Sequence, residues 1–214
     1  MTKNIVYILI AFMICANAVF AQTQNAYVQY NGYEYEFKKG DELKFLNNAD
    51  KNMQLYKTAQ IPSEKTFYLQ EAMRYYFLLS LINSGSIEAQ IGLGRVYDEM
   101  KEDRFAKKHF FNAVNLNSKN PAANLYFADF YYKRDDLISA MYYYKTAYQN
   151  GYWNNYSLNY RLGEIYEKLA DIETAKAFYF NASRLKQDNQ ELLDKIRMLD
   201  GLNYSQSQYY IFKK

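Results

Sequence analysis

The residues that could do chemistry are few. The 214-residue chain has one His, His109, and one Cys, Cys15. A metal cage of Cys and His, or any arrangement needing two imidazoles, is out of reach. His109 lies in the run Lys107-Lys108-His109-Phe110 with no Ser in an identifiable nucleophile turn, so a surface imidazole is expected, not a base. Asp98, Glu99, Glu102 and Asp103 could be imagined as a glycosidase pair, but such a pair needs a cleft and a raised pKa, and acids at a helix end are usually a solvated face. No Gly-rich phosphate loop, dinucleotide fingerprint or calcium loop is present. The 26 Lys and Arg nearly cancel the 23 Asp and Glu and are dispersed, which disfavours nucleic acid as a partner. No catalytic, cofactor-binding or metal-binding residue is therefore expected. The abundance lies elsewhere, in 25 Tyr and 14 Phe.

The elements that must position these side chains begin after an N-terminal targeting segment. Lys3, the apolar run Ile5 to Ile14, and the small residues Ala16, Ala18 and Ala21 read as a signal peptide over 1–21 with cleavage after Ala21. An uncleaved anchor is the alternative. Cleavage would leave a mature chain without cysteine in an exported, envelope-associated or periplasmic compartment, held together by packing alone. Residues 22–40 form a Tyr-rich segment in which alternation around Asn31-Gly32 fits either a β-hairpin or an arm.

From Asp41 the period becomes helical. Leu43, Leu46, Met53 and Tyr56 suggest a first amphipathic helix interrupted near Pro62. Ser63 is a candidate cap for a second helix carrying Phe67, Ala72, Tyr76 and Leu79. Gly85, Pro121, Gly151 and Gly201 then fall at joints, as in helices linked by short turns.

Six columns of residues recur at intervals of 34 and then 35. They are Leu93, Phe127, Leu162; Gly94, Ala128, Gly163; Tyr97, Tyr131, Tyr166; Ala106, Ala140, Ala175; Phe110, Tyr144, Tyr179; and Ala113, Ala147, Ala182. The one inserted residue falls in the loop 150–155. A small residue lets two antiparallel helices approach, and the neighbouring aromatic fills the space beside that contact. Spacings of four and three put Ala106, Phe110 and Ala113 on one face of the second helix.

This pattern resembles the tetratricopeptide repeat, a helix-turn-helix unit of 34 residues, over residues 87–189. The resemblance implies an all-α fold, a solenoid of antiparallel helix pairs. It divides the chain into repeats at 87–120, 121–155 and 156–189, after a degenerate opening repeat at 41–85 and before a capping helix at 190–202 and a tail at 203–214. The usual early aromatic is replaced by Gln90, Asn124 and Asn159. By similarity to the family, a concave protein-binding face would carry Glu88, Ile91, Arg95 and Asp98, then Ala122, Leu125, Asp129 and Tyr132, then Ser157, Tyr160, Arg161 and Glu164. Apolar and aromatic anchors among both charge signs suit a peptide or partner helix. The Lys and Asn clamp by which some members hold a C-terminal carboxylate is not matched, because Ile91 and Arg95 stand in its place.

Tyr132, Tyr142, Tyr143, Tyr152, Trp153, Tyr156 and Tyr160 exceed what the repeat columns require and mark a candidate contact surface around the inserted loop. The expected work is protein binding by an exported, non-enzymatic scaffold of a bacterial cell envelope. A structural subunit of a secretion complex or a periplasmic flagellar collar is the second reading, and a cell-wall hydrolase the third.

Overall fold

The computed structural model describes residues 27–30, 33–38, 40–186 and 189–211, with side chains for 37–38, 40–186 and 189–201. The 1–21 segment and the Asn31-Gly32 pair lie outside the described residues. Nine helices follow one hairpin among the described residues: β1 Tyr27–Tyr30, β2 Tyr33–Glu36, α1 Asp41–Thr58, α2 Pro62–Ile82, α3 Ile87–Glu99, α4 Asp103–Leu116, α5 Pro121–Tyr132, α6 Leu137–Ala147, α7 Tyr156–Lys168, α8 Ile172–Leu185 and α9 Gln190–Ile211. The turn Tyr148–Tyr152 follows α6 and kinks at Asn150 and Gly151, which are not helical. Contacts divide the chain into two compact units, one ending at Val96 and the next beginning at Tyr97.

In the first unit β1 and β2 pair antiparallel, with Tyr27 opposite Glu36 and Tyr30 opposite Tyr33, so the open choice between hairpin and arm falls to the hairpin. Just beyond it, Phe37 is buried edge-on to Phe45 of α1 with ring centroids 6.2 Å apart. The buried stripe of α1 is Phe45, Ala49 and Met53, and Leu43, expected inside, is exposed. Pro62 does not spoil a helix. It occupies the first turn of α2, where its missing N–H costs nothing. Ile61, in extended conformation, holds the cap position expected of Ser63, and no side chain caps this end. The opening pair is thus two full helices and not a degenerate remnant, joined across its middle by the Tyr76 hydroxyl donating to Asp50.

In the second unit the repeat columns become packing. Ala106, Phe110, Ala113, Ala128, Ala140, Tyr144, Ala147, Ala175, Tyr179 and Ala182 are all buried, and Gly94 is buried at the edge of the first unit. The glycine column has a steric reason at its last member: a Cβ on Gly163 would sit 2.6 Å from the Tyr179 ring, closer than real Cβ atoms come. Gly92, which no column flagged, is pressed in the same way against Tyr76 within the first unit.

A further column emerges only from backbone geometry. Lys101, Asp135 and Ala170, at the repeat interval, each take the left-handed conformation, with φ of 62°, 57° and 60°. The next residue's N–H then reaches back to a repeat tyrosine: Glu102 to the Tyr97 carbonyl (2.9 Å), Asp136 to Tyr131 (3.1 Å) and Asp171 to Tyr166 (2.9 Å). These are Schellman C-caps made without glycine. At the far end of each pair, Ser86, Asn120, Asn155 and Asn189 cap α3, α5, α7 and α9, their side-chain oxygens accepting from the backbone N–H three residues on. Helix α9 therefore begins as the first helix of another unit. It runs to Ile211, past the boundary expected at 202 and through most of the supposed tail.

Candidate protein-contact surface

The positions assigned to the binding face on α5 and α7 meet one another. The Tyr132 hydroxyl donates to Glu164 Oε2 across 2.9 Å, and Arg161 donates to the same oxygen across 2.7 Å. The Arg161 guanidinium lies 4.7 Å from the centre of the Tyr132 ring, close enough for a cation–π contact. Behind them, buried Tyr144 donates to Asp129. Burial raises the Asp129 carboxyl above its ordinary range despite that hydrogen bond and the nearby Lys133 and Arg161 cations. Burial first, and the Glu164 carboxylate second, raise the Tyr132 phenol.

A second network continues this one on α8 and α9. Tyr179 donates to Glu167 across 2.5 Å, and Lys195 pairs with Glu167 at 2.8 Å. Burial raises the Glu167 carboxyl, but Lys195 and Tyr179 outweigh it and hold the group below its ordinary range. Tyr160 stacks on Tyr156 at 6.0 Å and meets Tyr179 edge-on at 5.6 Å. Of these rings Tyr132, Tyr156 and Tyr160 are half-buried, while Tyr144 and Tyr179 are wholly buried.

Other assigned positions are placed differently. Glu88 is exposed and accepts from Ser86 Oγ, Arg95 is half-buried 3.9 Å from Asp50, and Leu125 is half-buried against the α5–α6–α7 core. Ala122 is half-buried and Ser157 exposed. Ile91 and Asp98 are corrections: each is buried, so neither faces a partner. Asp98 is an internal anchor, bonded by Lys133 at 2.6 Å and Arg134 at 2.8 Å, and Arg134 also grips Asp103. These cations pair with three of the four acids considered as a glycosidase pair, Asp98, Glu99 and Asp103.

His109 is the clearest correction. It is buried, not on the surface, and stacks on Tyr97 at 5.4 Å with the rings 6° from parallel. Tyr131 on Tyr143 (4°) and Tyr166 on Phe178 (8°) are the equivalent pairs one and two repeats on. The imidazole occupies an aromatic position of the repeat, and burial pushes its pKa down to about 4, with help from Lys108. A column of His109, Tyr143 and Phe178 was present in the sequence but hidden by its chemical variety.

Asn124 and Asn159, which replace the family's early aromatic, are buried straps. Asn124 Nδ2 donates to the carbonyls of Ser118 (2.9 Å) and Asn120 (2.8 Å), and Asn159 Nδ2 donates to those of Trp153 and Asn155 (2.8 Å each). Each ties the preceding loop to its helix. Of the surplus aromatics, Tyr143 is absorbed into core stacking, whereas Tyr142 and Trp153 are exposed at 65% and 62%. Among the described residues no three His, Cys, Asp or Glu side chains converge on a metal site, and no helix is long and apolar enough to cross a membrane.

No protein-family model and no curated protein matches the chain. Solved structures do. A crystal structure of MamA is similar at TM-score 0.55 and 15% identity, covering 77% of this chain and 88% of MamA. A second MamA structure gives 0.56 and 16%, covering 72% and 92%. The Cut9–Hcn1 hetero-tetramer of the APC/C gives 0.59 and 15%, covering 74% of this chain and 29% of the other. These are tetratricopeptide-repeat proteins, and likeness at such identity concerns architecture. With the repeated caps, the stacked aromatic pairs and the glycine contact all in one register, the chain has the tetratricopeptide-repeat fold.

Proposed function

We propose that the chain is a non-enzymatic scaffold that binds another protein of the cell envelope, after export directed by residues 1–21. The observation that carries this reading is the Tyr132–Glu164–Arg161 cluster, an aromatic and charged group shared by two successive repeats and fixed by its own hydrogen bonds. A surface of that composition offers rigid contact area and both charge signs, which suits a protein partner better than a nucleic acid or a bare membrane. The scaffold needs no cofactor and no metal.

Membership in a larger envelope assembly is the second reading, and the exposed large apolar residues support it. Phe111, Ile138, Tyr142, Phe180 and Met198 each stay more than half exposed on α4, α6, α8 and α9. Side chains of that kind are covered in a complex where they form a contiguous patch.

In-cell crosslinking followed by mass spectrometry tests the scaffold. A photoreactive residue at Tyr132 should capture one or a few envelope proteins, and in a separate pull-down with the tagged chain Tyr132→Ala combined with Tyr160→Ala should weaken capture of the same proteins with the fold intact. Capture that persists in the double variant would move the binding site elsewhere. Fractionation of cells checks export: recovery of the chain solely in the cytoplasm would overturn that part.

A further inference from the structure

The inserted residue of the second repeat builds something the other repeats lack. After α6 the chain kinks at Asn150 (φ −102°, ψ 22°) and Gly151 (φ 121°), where it leaves helical geometry. Between this turn and α8 lies a cleft of about 270 Å³ lined by Tyr148, Trp153, Asn154, Asn181, Arg184 and Leu185.

The cleft wall is rigid where it matters. The buried Asn159 amide holds the Trp153 carbonyl at 2.8 Å, while the Trp153 side chain stays largely exposed. An exposed Trp on a hydrogen-bonded backbone offers a large contact area with only two side-chain torsions to fix on docking. Arg184 stands across from it. Among the described residues Arg184 has no carboxylate partner, whereas Arg134, Arg161, Lys168 and Lys195 all do. The side-chain amides of Asn154 and Asn181 likewise make no hydrogen bond among the described residues, and each offers both a donor and an acceptor.

We infer that this cleft binds an extended, acidic peptide segment of the partner. An apolar side chain lies against Trp153, Tyr148 and Leu185, the peptide main chain meets Asn154 and Asn181, and a Glu or Asp carboxylate pairs with Arg184. The planar guanidinium matches a carboxylate with two parallel hydrogen bonds, which fixes register as well as charge. One cation is too little for a phosphate backbone. The inference rests on the proposal that the chain binds protein and names a second contact site and the chemistry of its occupant.

Trp153 is the chain's one Trp, so its fluorescence reports this cleft alone. The purified chain is titrated with a pool of acetylated, amidated heptapeptides in which Glu or Asp alternates with Leu, Ile or Phe, with the Gln and Asn isosteres, and with chitotriose. The expected result is a saturable emission change with the acidic pool. Affinity should fall at least tenfold for the isosteres and at least tenfold in Arg184→Gln, whose melting temperature is unchanged. An equal response to both pools, unaltered binding by Arg184→Gln, no saturable change, or a response confined to chitotriose would each overturn it. In cells, a photoreactive residue is placed at Trp153 or at Tyr132. Capture at both supports the cleft, capture at Tyr132 alone sinks the cleft, and capture at neither sinks the protein-binding reading itself.

Discussion

The side-chain amide of Asn159, buried from solvent, donates to the backbone carbonyl of Trp153 across 2.8 Å. The position where the repeat family carries an aromatic is here a polar strap, and the Trp-bearing loop hangs from it. Asn159→Ala should cost about 1–3 kcal/mol, since it removes two part-buried hydrogen bonds made by a buried side chain. It should also lower the fluorescence anisotropy of Trp153. Asn124→Ala removes the equivalent strap at Ser118 and should destabilise comparably with Trp153 anisotropy unchanged. Chemical denaturation and anisotropy on the two variants check this.

Gly163→Ala should destabilise by about 1–3 kcal/mol, because the added methyl meets the Tyr179 ring. Gly201→Ala is the opposite case. Nothing lies within 4 Å of a Cβ there, and the residue is inside α9, so about 0.5–1 kcal/mol of stabilisation is expected from helix propensity. Thermal melts that moved in the same direction for both would contradict the packing described.

Ala170→Gly should raise stability by up to about 1 kcal/mol. The residue sits at φ 60°, where a Cβ is strained, and glycine removes that strain at some cost in unfolded-state entropy. A lowered melting temperature would count against the Schellman cap at this turn.

His109 makes stability depend on pH. Its pKa is about 4 in the folded chain against 6.5 for a free imidazole, so the unfolded chain binds the proton more readily. The stabilisation is complete above about pH 6.5 and is lost as pH falls toward 4. Between pH 8 and pH 5 this amounts to about 2 kcal/mol. His109→Phe, which restores the aromatic of the equivalent stacked pairs, should remove that part of the acid sensitivity. Melts of both proteins at pH 8 and pH 5 measure the difference, and parallel losses would show that His109 is not the group responsible.

The repeat register, the helix pairs and the side chains that fill them were legible in the chain itself, because close packing of two helices admits few residue types at each contact and the interval repeats them. Small residues at 94, 128 and 163 and rings at 110, 144 and 179 could hardly mean anything else. Capping asparagines and serine at 86, 120, 155 and 189 were equally present but went unread, since hydrogen-bonding residues vary more freely than packed ones.

Tertiary structure alone decided the rest. His109 is chemically a titratable group, and only the parallel Tyr97 ring above it made it a core aromatic with a depressed pKa. Asp98 is an acid like its neighbours until Lys133 and Arg134, a full repeat away in sequence, close on it. The inserted residue at the end of the second repeat could be counted from the spacing, but that it becomes a kinked turn beside a cleft lined by Arg184 depends on where α8 lies. Periodicity carries information about contacts that repeat; a charge's partner and a loop's neighbour are set once, by chain segments the local sequence does not contain.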